Sequence, residues 1–216
     1  MDSIVIIDYG MGNLHSAAKA VARAVENADV IISSNPDEIK KADRVVFPGV
    51  GAMRDCMSGL QKSELDDVIK QVAKEKPFLA ICVGMQALMD HSEENNGVDC
   101  LGLFSGDVRY FGDSMTGDAG EQLKVPHMGW NQVAQTKPHP LWAGIPDESR
   151  FYFVHSYYVD AKDENVIAGA TDYGVKFAAS IARDNIFAVQ FHPEKSHRAG
   201  LTLLANFARW NGENQC

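Results

Sequence analysis

Three side chains in this chain of 216 residues have the types and the placing to build a nucleophilic site. Cys82 stands between an apolar run, Phe78 to Ile81, and a segment that carries Met85, Leu88 and Met89 at helical spacing. A strand that turns sharply and re-enters as a helix lifts the turn residue clear of the sheet, which is the layout of a nucleophile elbow with Cys in the place of Ser. The free N–H groups at the start of the helix would favour a thiolate. On that stretch alone, Cys82 reads equally well as a buried core thiol. Far downstream, a second apolar run, Ile186 to Phe191, leads straight into His192-Pro193-Glu194-Lys195-Ser196. In extended backbone, residues i and i+2 point the same way. His192 and Glu194 can therefore meet one site, the histidine as base toward a nucleophile and the glutamate holding the imidazole tautomer. One cysteine with a distant His–acid pair is the form a Cys-His-acid triad takes in sequence. A metal centre would need more: His197 is near, but no third ligand follows at a metal-like spacing, so no metal is expected.

The elements that must position these groups read as an alternation of strands and helices. Ser3 to Ile7 is a β-branched run ending at Asp8, the pattern of a strand buried on both faces. Tyr9-Gly-Met-Gly-Asn13 turns out of it into a helix with Leu14, Ala17, Ala18, Val21 and Val25 on one face, running to about Asn27 with Asn13 as its cap. That turn lacks the third glycine of a dinucleotide fingerprint, since His15 stands there. Val30 to Ser33 is a second strand, and Asn35-Pro36-Asp37-Glu38 opens a short helix. Arg44 to Phe47 is a third strand, followed by Pro48-Gly49-Val50-Gly51, whose backbone N–H groups could face a developing negative charge. A helical region through Met57, Leu60, Leu65, Val68, Ile69 and Val72 ends at Pro77. The order β-α-β-α-β-α-β-α implies a parallel sheet with helices on both faces, whose ligand sites lie beyond the carboxyl ends of the strands. Asp8 to Asn13, Pro48 to Gly51 and Cys82 all fall at such ends. After Gly97 come short β-like pieces at 108–111, 129–133, 150–154, 157–159 and 166–169, a hairpin across Arg183-Asp184, and a last helix over about His197 to Trp210. Residues 112–120 read as an exposed, mobile loop. With no linker and no repeat, residues 1–212 form a single domain and 213–216 a loose tail.

Composition bounds the function. Hydrophobic residues make up 45% and charged residues 23%, as in an ordinary globular protein. A net charge of −9 argues against a nucleic-acid surface. There is no run near the length of a membrane span and no basic N-terminal signal, so a cytoplasmic chain without membrane contact is expected. Its four cysteines then stay reduced.

Cys82 in an elbow, His192-Pro-Glu194 downstream and Pro-Gly-x-Gly upstream together resemble the class I, triad-type glutamine amidotransferases. The resemblance implies their three-layer α/β fold, a mostly parallel central sheet with helices on both faces and antiparallel additions in the second half. That family usually has glycine where this elbow has Ala80. Asp8-Tyr-Gly-Met-Gly-Asn-Leu-His-Ser16, Phe47-Pro-Gly-Val-Gly-Ala-Met53, Val125-Pro-His-Met-Gly-Trp-Asn131, Phe153-Val-His-Ser-Tyr157 and Val189-Gln-Phe-His-Pro-Glu-Lys-Ser196 narrow it. These blocks, spread over nearly the whole chain, are similar to those of the glutaminase subunits of imidazole glycerol phosphate synthases.

The resemblance implies L-glutamine as substrate, Cys82 as nucleophile, His192 as base and Glu194 as its orienting acid. It puts the oxyanion on the N–H of Val83 and on one from Gly49, Val50 or Gly51, and places Gln86, Glu94, Ser156 and Tyr157 around glutamine. It implies no cofactor, and ammonia passed to a (β/α)₈ cyclase subunit in a heterodimer. Met128, Trp130, Asn131 and Lys195 would face that partner, with low activity until it docks and the oxyanion loop changes state. The competing readings are a glutaminase of another pathway (anthranilate or pyridoxal phosphate synthesis), a non-catalytic docking subunit of the same fold, and a cysteine peptidase or redox sensor. The His-Met-Gly-Trp-Asn block argues against the first, the intact Cys82, His192 and Glu194 against the second, and His-Pro-Glu-Lys-Ser against the third.

Overall fold

The computed structural model describes residues 2–25, 28–117 and 120–213. Strand β1 (Asp2–Ile7) pairs in parallel with β2 (Ala28–Ser33) on one side and β3 (Arg44–Gly49) on the other. Ile4, Val5, Ile6 and Ile7 are all fully buried, so consecutive residues meet apolar neighbours on both faces of the sheet. Strand β4 (Phe78–Cys82) lies parallel to β3, with Phe47 opposite Ala80 and Gly49 opposite Cys82, and parallel to Ile186–Val189 on its other side. From there the second half extends the same sheet by antiparallel pairing through Lys176–Arg183, Ile167–Asp172, His127–Gln135 and Ser149–His155, giving nine strands. A four-stranded sheet (Tyr157–Ala161, Gly106–Tyr110, His91–Ser92, Val98–Asp99) packs beside it.

Helix α1 (Leu14–Ala24) packs on α6 (His197–Arg209), and α2 (Pro36–Lys41) packs on α4 (Asp66–Glu75). Asn35 caps α2 as expected, its side chain accepting from the Asp37 N–H. Asn13 does not cap α1: its carbonyl, not its side chain, receives the N–H groups of Ser16 and Ala17, and the helix stops at Ala24 instead of Asn27, which lies outside the described residues. The region from Met57 to Val72 is two helices, α3 (Met53–Lys62) and α4. They break at Glu64, with φ +55°, where the Leu65 N–H closes back on the Leu60 carbonyl. The 112–120 stretch contains part of a small hairpin, Met115–Thr116 with Gln122–Leu123, anchored by a buried Met115; Asp118 and Ala119 are outside the described residues. The late hairpin turns over Asp184 and Asn185, with Asp184 at φ +51°, because Arg183 still pairs with Ile186. At the C-terminus, Glu213 is held by the Trp210 indole N–H and by Asn211, while Asn214 to Cys216 lie outside the described residues. Among the described residues no helix is long and apolar enough to cross a membrane.

Candidate active site

Cys82 ends β4 in a conformation that side chains rarely adopt, φ +56° and ψ −114°. What holds it there is a close crossing of two backbones. A Cβ on Gly84 would stand 2.2 Å from the Phe47 carbonyl oxygen, and one on Gly49 would stand 2.4 Å from the Gly84 nitrogen. Only glycine at both positions lets the end of β3 lie against the elbow. Ala80 carries no such demand. It sits inside β4, fully buried and in register with Phe47 and Ala188, so a methyl group is accommodated there. The helix after the elbow is shorter than the sequence suggests: α5 (Val83–Gln86) is a single turn, and Leu88 and Met89 go into the core. Its dipole is correspondingly small.

The segment after Ile186–Val189 delivers the histidine. His192 and Glu194 side chains are 4% and 7% exposed, and Nδ1 of the histidine lies 2.7 Å from Oε1 of the glutamate. A carboxylate accepts, so Nδ1 carries the proton and the other ring nitrogen is left for Cys82. The second carboxylate oxygen, Oε2, is buried without a hydrogen-bond partner, so the strong bond of Glu194 is the one to the imidazole. Burial pushes the His192 pKa down, but hydrogen bonds to Cys82 and Glu194, and the charges on both, outweigh it and raise the value to about 10. His192 also has its backbone gripped: its N–H donates to the Tyr152 carbonyl at 2.9 Å, and the Ser196 hydroxyl bonds its carbonyl at 2.6 Å.

Cys82 and His192 open into a cleft of about 440 Å³, and Val50, Gly51 and Val83 line it beside them. As the first residue of α5, Val83 has an N–H with no intrahelical acceptor. Gln86, Glu94, Ser156 and Tyr157 line the same cleft, and Lys195 stands at its exposed rim. Gly49 and Glu194 stand outside that lining, Gly49 against the elbow backbone and Glu194 against His192. Gln86 is no solvated polar residue: it is 3% exposed, and Nε2 donates to the Tyr157 carbonyl at 2.8 Å and to Gln190 Oε1 at 2.9 Å. Glu94 accepts the N–H of Met53 at 2.7 Å, so the carboxylate that faces the cleft also holds the first residue of α3, directly after the 49–51 loop.

Two groups beside the cleft escape a reading of the sequence. Gln190 is fully buried, and its Nε2 donates to Cys82 Sγ at 3.7 Å. A signal for it is present: a glutamine inside an apolar buried run must find partners. The other is a histidine pair. His127 Nδ1 lies 2.9 Å from His155 Nε2, and His155 Nδ1 lies 2.8 Å from the Tyr157 carbonyl. Phe111, Phe153 and Phe177 pack around both rings. Burial pushes His127 down to about 4. Burial, with lesser effects from His127 and His192, takes His155 to about 3 against the opposing pull of the Tyr157 carbonyl. Both are neutral at neutral pH.

Met128 and Trp130 project from the strand His127–Gln135 and are 62% and 43% exposed. Trp130 lies flat on His197, with ring centroids 4.9 Å apart and an angle of 8° between planes, and packs edge-on against Tyr152. The Lys195 ammonium stands 5.7 Å from the Tyr152 ring, so it shares that surface. Asn131 does not. Strand alternation turns it inward, where Nδ2 donates to the Asp172 carbonyl at 2.8 Å and lies 3.3 Å from His127 Nε2.

Comparison with known proteins matches this arrangement to one family. The family described as Glutamine amidotransferase class-I matches residues 5–210. Over 211 residues, 97% of each chain, the sequence is 61% identical to the imidazole glycerol phosphate synthase subunit HisH of Methylococcus capsulatus. It is 58% identical to subunit HisH 1 of Pseudomonas aeruginosa, over 98% of this chain and 99% of that one. Among solved structures, a putative GMP synthase protein from Thermoplasma acidophilum superposes with a TM-score of 0.70 at 20% identity, over 97% of this chain and 93% of that chain. A second, described as a glutamine amidotransferase, gives 0.66 at 15% identity, over 93% of this chain and 98% of that chain. At those identities the two structures speak to the fold.

Proposed function

The chain belongs to the class I glutamine amidotransferase family, and on that premise we propose that it is the glutaminase subunit of an imidazole glycerol phosphate synthase. One domain, residues 1–212, carries the whole activity in the cytoplasm. The observation that carries this reading is the meeting of a strained Cys82 with the His192–Glu194 pair at one cleft.

An imidazolium beside the sulfur favours the thiolate, the reactive form. The thiolate attacks the side-chain amide carbon of L-glutamine, and the carbonyl oxygen takes the negative charge. The Val83 N–H and one N–H from Gly49, Val50 or Gly51 hold that oxyanion, each such donor contributing about 3 kcal/mol of transition-state stabilisation. On collapse, His192 gives its proton to the departing nitrogen, which leaves as ammonia. Water then attacks the thioester with His192 as base, glutamate departs and the thiolate returns. Glu194 keeps the imidazole oriented through both half-reactions. Gln86, Glu94, Ser156 and Tyr157 surround the amino-acid end of glutamine, Glu94 supplying charge for its ammonium.

Ammonia passes to a (β/α)₈ cyclase subunit that forms imidazole glycerol phosphate and an aminoimidazole carboxamide ribotide in histidine synthesis. Met128, Trp130 and Lys195 form the docking face, and Asn131 supports it from behind. Glutamate release by wild type and Cys82→Ala, with and without the cyclase and its phosphoribulosyl substrate, tests the reading. Release that depends on the partner and disappears in Cys82→Ala is expected. Release that survives in Cys82→Ala, or full activity of the isolated chain, overturns it.

A further inference from the structure

The polarity of the amides beside Cys82 is fixed by one main-chain oxygen. A carbonyl only accepts, so Gln86 must turn its amide nitrogen to the Tyr157 carbonyl, which lies 2.8 Å away. The same nitrogen reaches Gln190 Oε1 at 2.9 Å. Gln190 must therefore turn its oxygen to Gln86 and its nitrogen away, and that nitrogen lies 3.7 Å from Cys82 Sγ. Neither amide can trade these bonds for bulk water, since Gln190 is fully buried and Gln86 nearly so. The far side of the Tyr157 carbonyl is held as well. Neutral His155 donates to it through Nδ1, accepts from His127 Nδ1 through Nε2, and Asn131 donates to His127 Nε2. Donors converge on this oxygen from both sides, which leaves it no freedom to turn.

We propose that Gln190 is a further catalytic residue, whose Nε2–H bonds the Cys82 sulfur and stabilises its thiolate, with Gln86 and the Tyr157 carbonyl as the positioning groups that keep its amide the right way round. A sulfur anion is a stronger acceptor than a thiol, so a donor aimed at it favours ionisation. Gln190 thus supplies what the single turn of α5 does not. The assignment rests on Cys82 being the nucleophile in the reading above.

The test is the pH dependence of Cys82 alkylation by iodoacetamide in the isolated chain, with Cys56, Cys100 and Cys216 resolved by peptide mass mapping. In Gln190→Met the midpoint is expected to rise by about one to two pH units, the loss of a hydrogen bond to a charged group, with a rate at pH 7 lower by about tenfold or more. Gln86→Met is expected to shift it in the same direction by less. A Gln190→Met profile that superimposes on wild type overturns the proposal. A second measurement needs no variant that disturbs the core: the Gln190 side-chain NH₂ resonances of the wild type should follow the Cys82 titration. Signals that stay flat through it also overturn the proposal. Alkylation involves no glutamine turnover, so its failure leaves the partner-dependent glutaminase standing, and a chain that never releases glutamate still reports on Gln190.

Discussion

Gly84→Ala puts the backbone crossing at the elbow to the test. The added Cβ would stand 2.2 Å from the Phe47 carbonyl oxygen, whereas Cβ contacts are essentially never closer than 3.0 Å, so β3 and the elbow must separate by about 0.8 Å. No flexible side chain can absorb this, because the obstacle is backbone in a fully buried strand. Overpacking a rigid core costs about 1–3 kcal/mol, and a backbone obstacle belongs at the upper end. For a chain of this length that lowers Tm by about 6–12 °C. Activity suffers separately. The separation pulls the Gly49–Gly51 loop away from the Val83 N–H, and a misplacement near 1 Å costs about a hundredfold in rate. Thermal melting by circular dichroism and glutamate release in the cyclase complex measure the two effects. Ala80→Gly is the control: it opens no crossing, costs about 1 kcal/mol through strand entropy and a lost methyl, and should leave kcat within about twofold. A Gly84→Ala chain that melts within about 2 °C of wild type and keeps its rate would refute the idea that this crossing sets the oxyanion site.

Stability should peak near pH 6.5, the unfolded value for histidine. As pH falls below it, the unfolded chain takes protons that His127 (about 4) and His155 (about 3) refuse, so stability is lost by up to about 1.4 kcal/mol per pH unit per histidine. As pH rises above it, the folded chain holds a proton on His192 up to about 10, so that contribution is lost across this window; urea unfolding from pH 4 to 9 should show both limbs, and stability still climbing from 6.5 to 9 would contradict the His192 assignment. Glu194→Gln should lower kcat by about 10²–10⁴ with little change in KM, because the imidazole loses its charged acceptor; steady-state kinetics decide, and a loss under threefold removes Glu194 from the orienting role. Met128→Ala should leave the melting of the isolated chain nearly unchanged, Trp130→Ala should lower it by a few degrees through its lost stack on His197 and Tyr152, and both should weaken cyclase binding by about thirtyfold, measured by calorimetry; unchanged affinity would place docking elsewhere.

How much of this is legible in the sequence depends on whether the signal is local. Strands β1 to β4 announce themselves as apolar runs, and Cys82, His192 and Glu194 as unusual residues at run ends. What periodicity does not reveal is where helices stop. The break at Glu64 and the single turn of α5 are set by tertiary packing, and Leu88 and Met89 suit a helix and a core equally. The family pattern points to glycine at position 80, the one departure in this elbow, while the crowded positions are 49 and 84. His127 and His155 each stand inside a recognisable block with nothing local to set them apart, and Gln190 is marked only as a polar residue in an apolar run. Their importance lies in pairings across 28 and 108 residues of sequence that no spacing rule captures.

The attachment of the strand that carries Met128 and Trp130 has a mechanical consequence. His127–Gln135 and Ser149–His155 form a two-stranded ribbon, and its ladder to the rest of the sheet is limited to Ala134 opposite Ala170 and Gln135 opposite Gly169. Met128 and Trp130 sit away from that ladder, where side-chain bonds from Asn131 to the Asp172 carbonyl and from Thr171 to the Gln132 carbonyl tie the ribbon down instead. Trp130 pairs with Tyr152, and Tyr152 binds the His192–Ser196 segment through both its N–H and its carbonyl. A load applied at Trp130 reaches the backbone of His192 across one rung and one hydrogen bond, with no loop between them to absorb it.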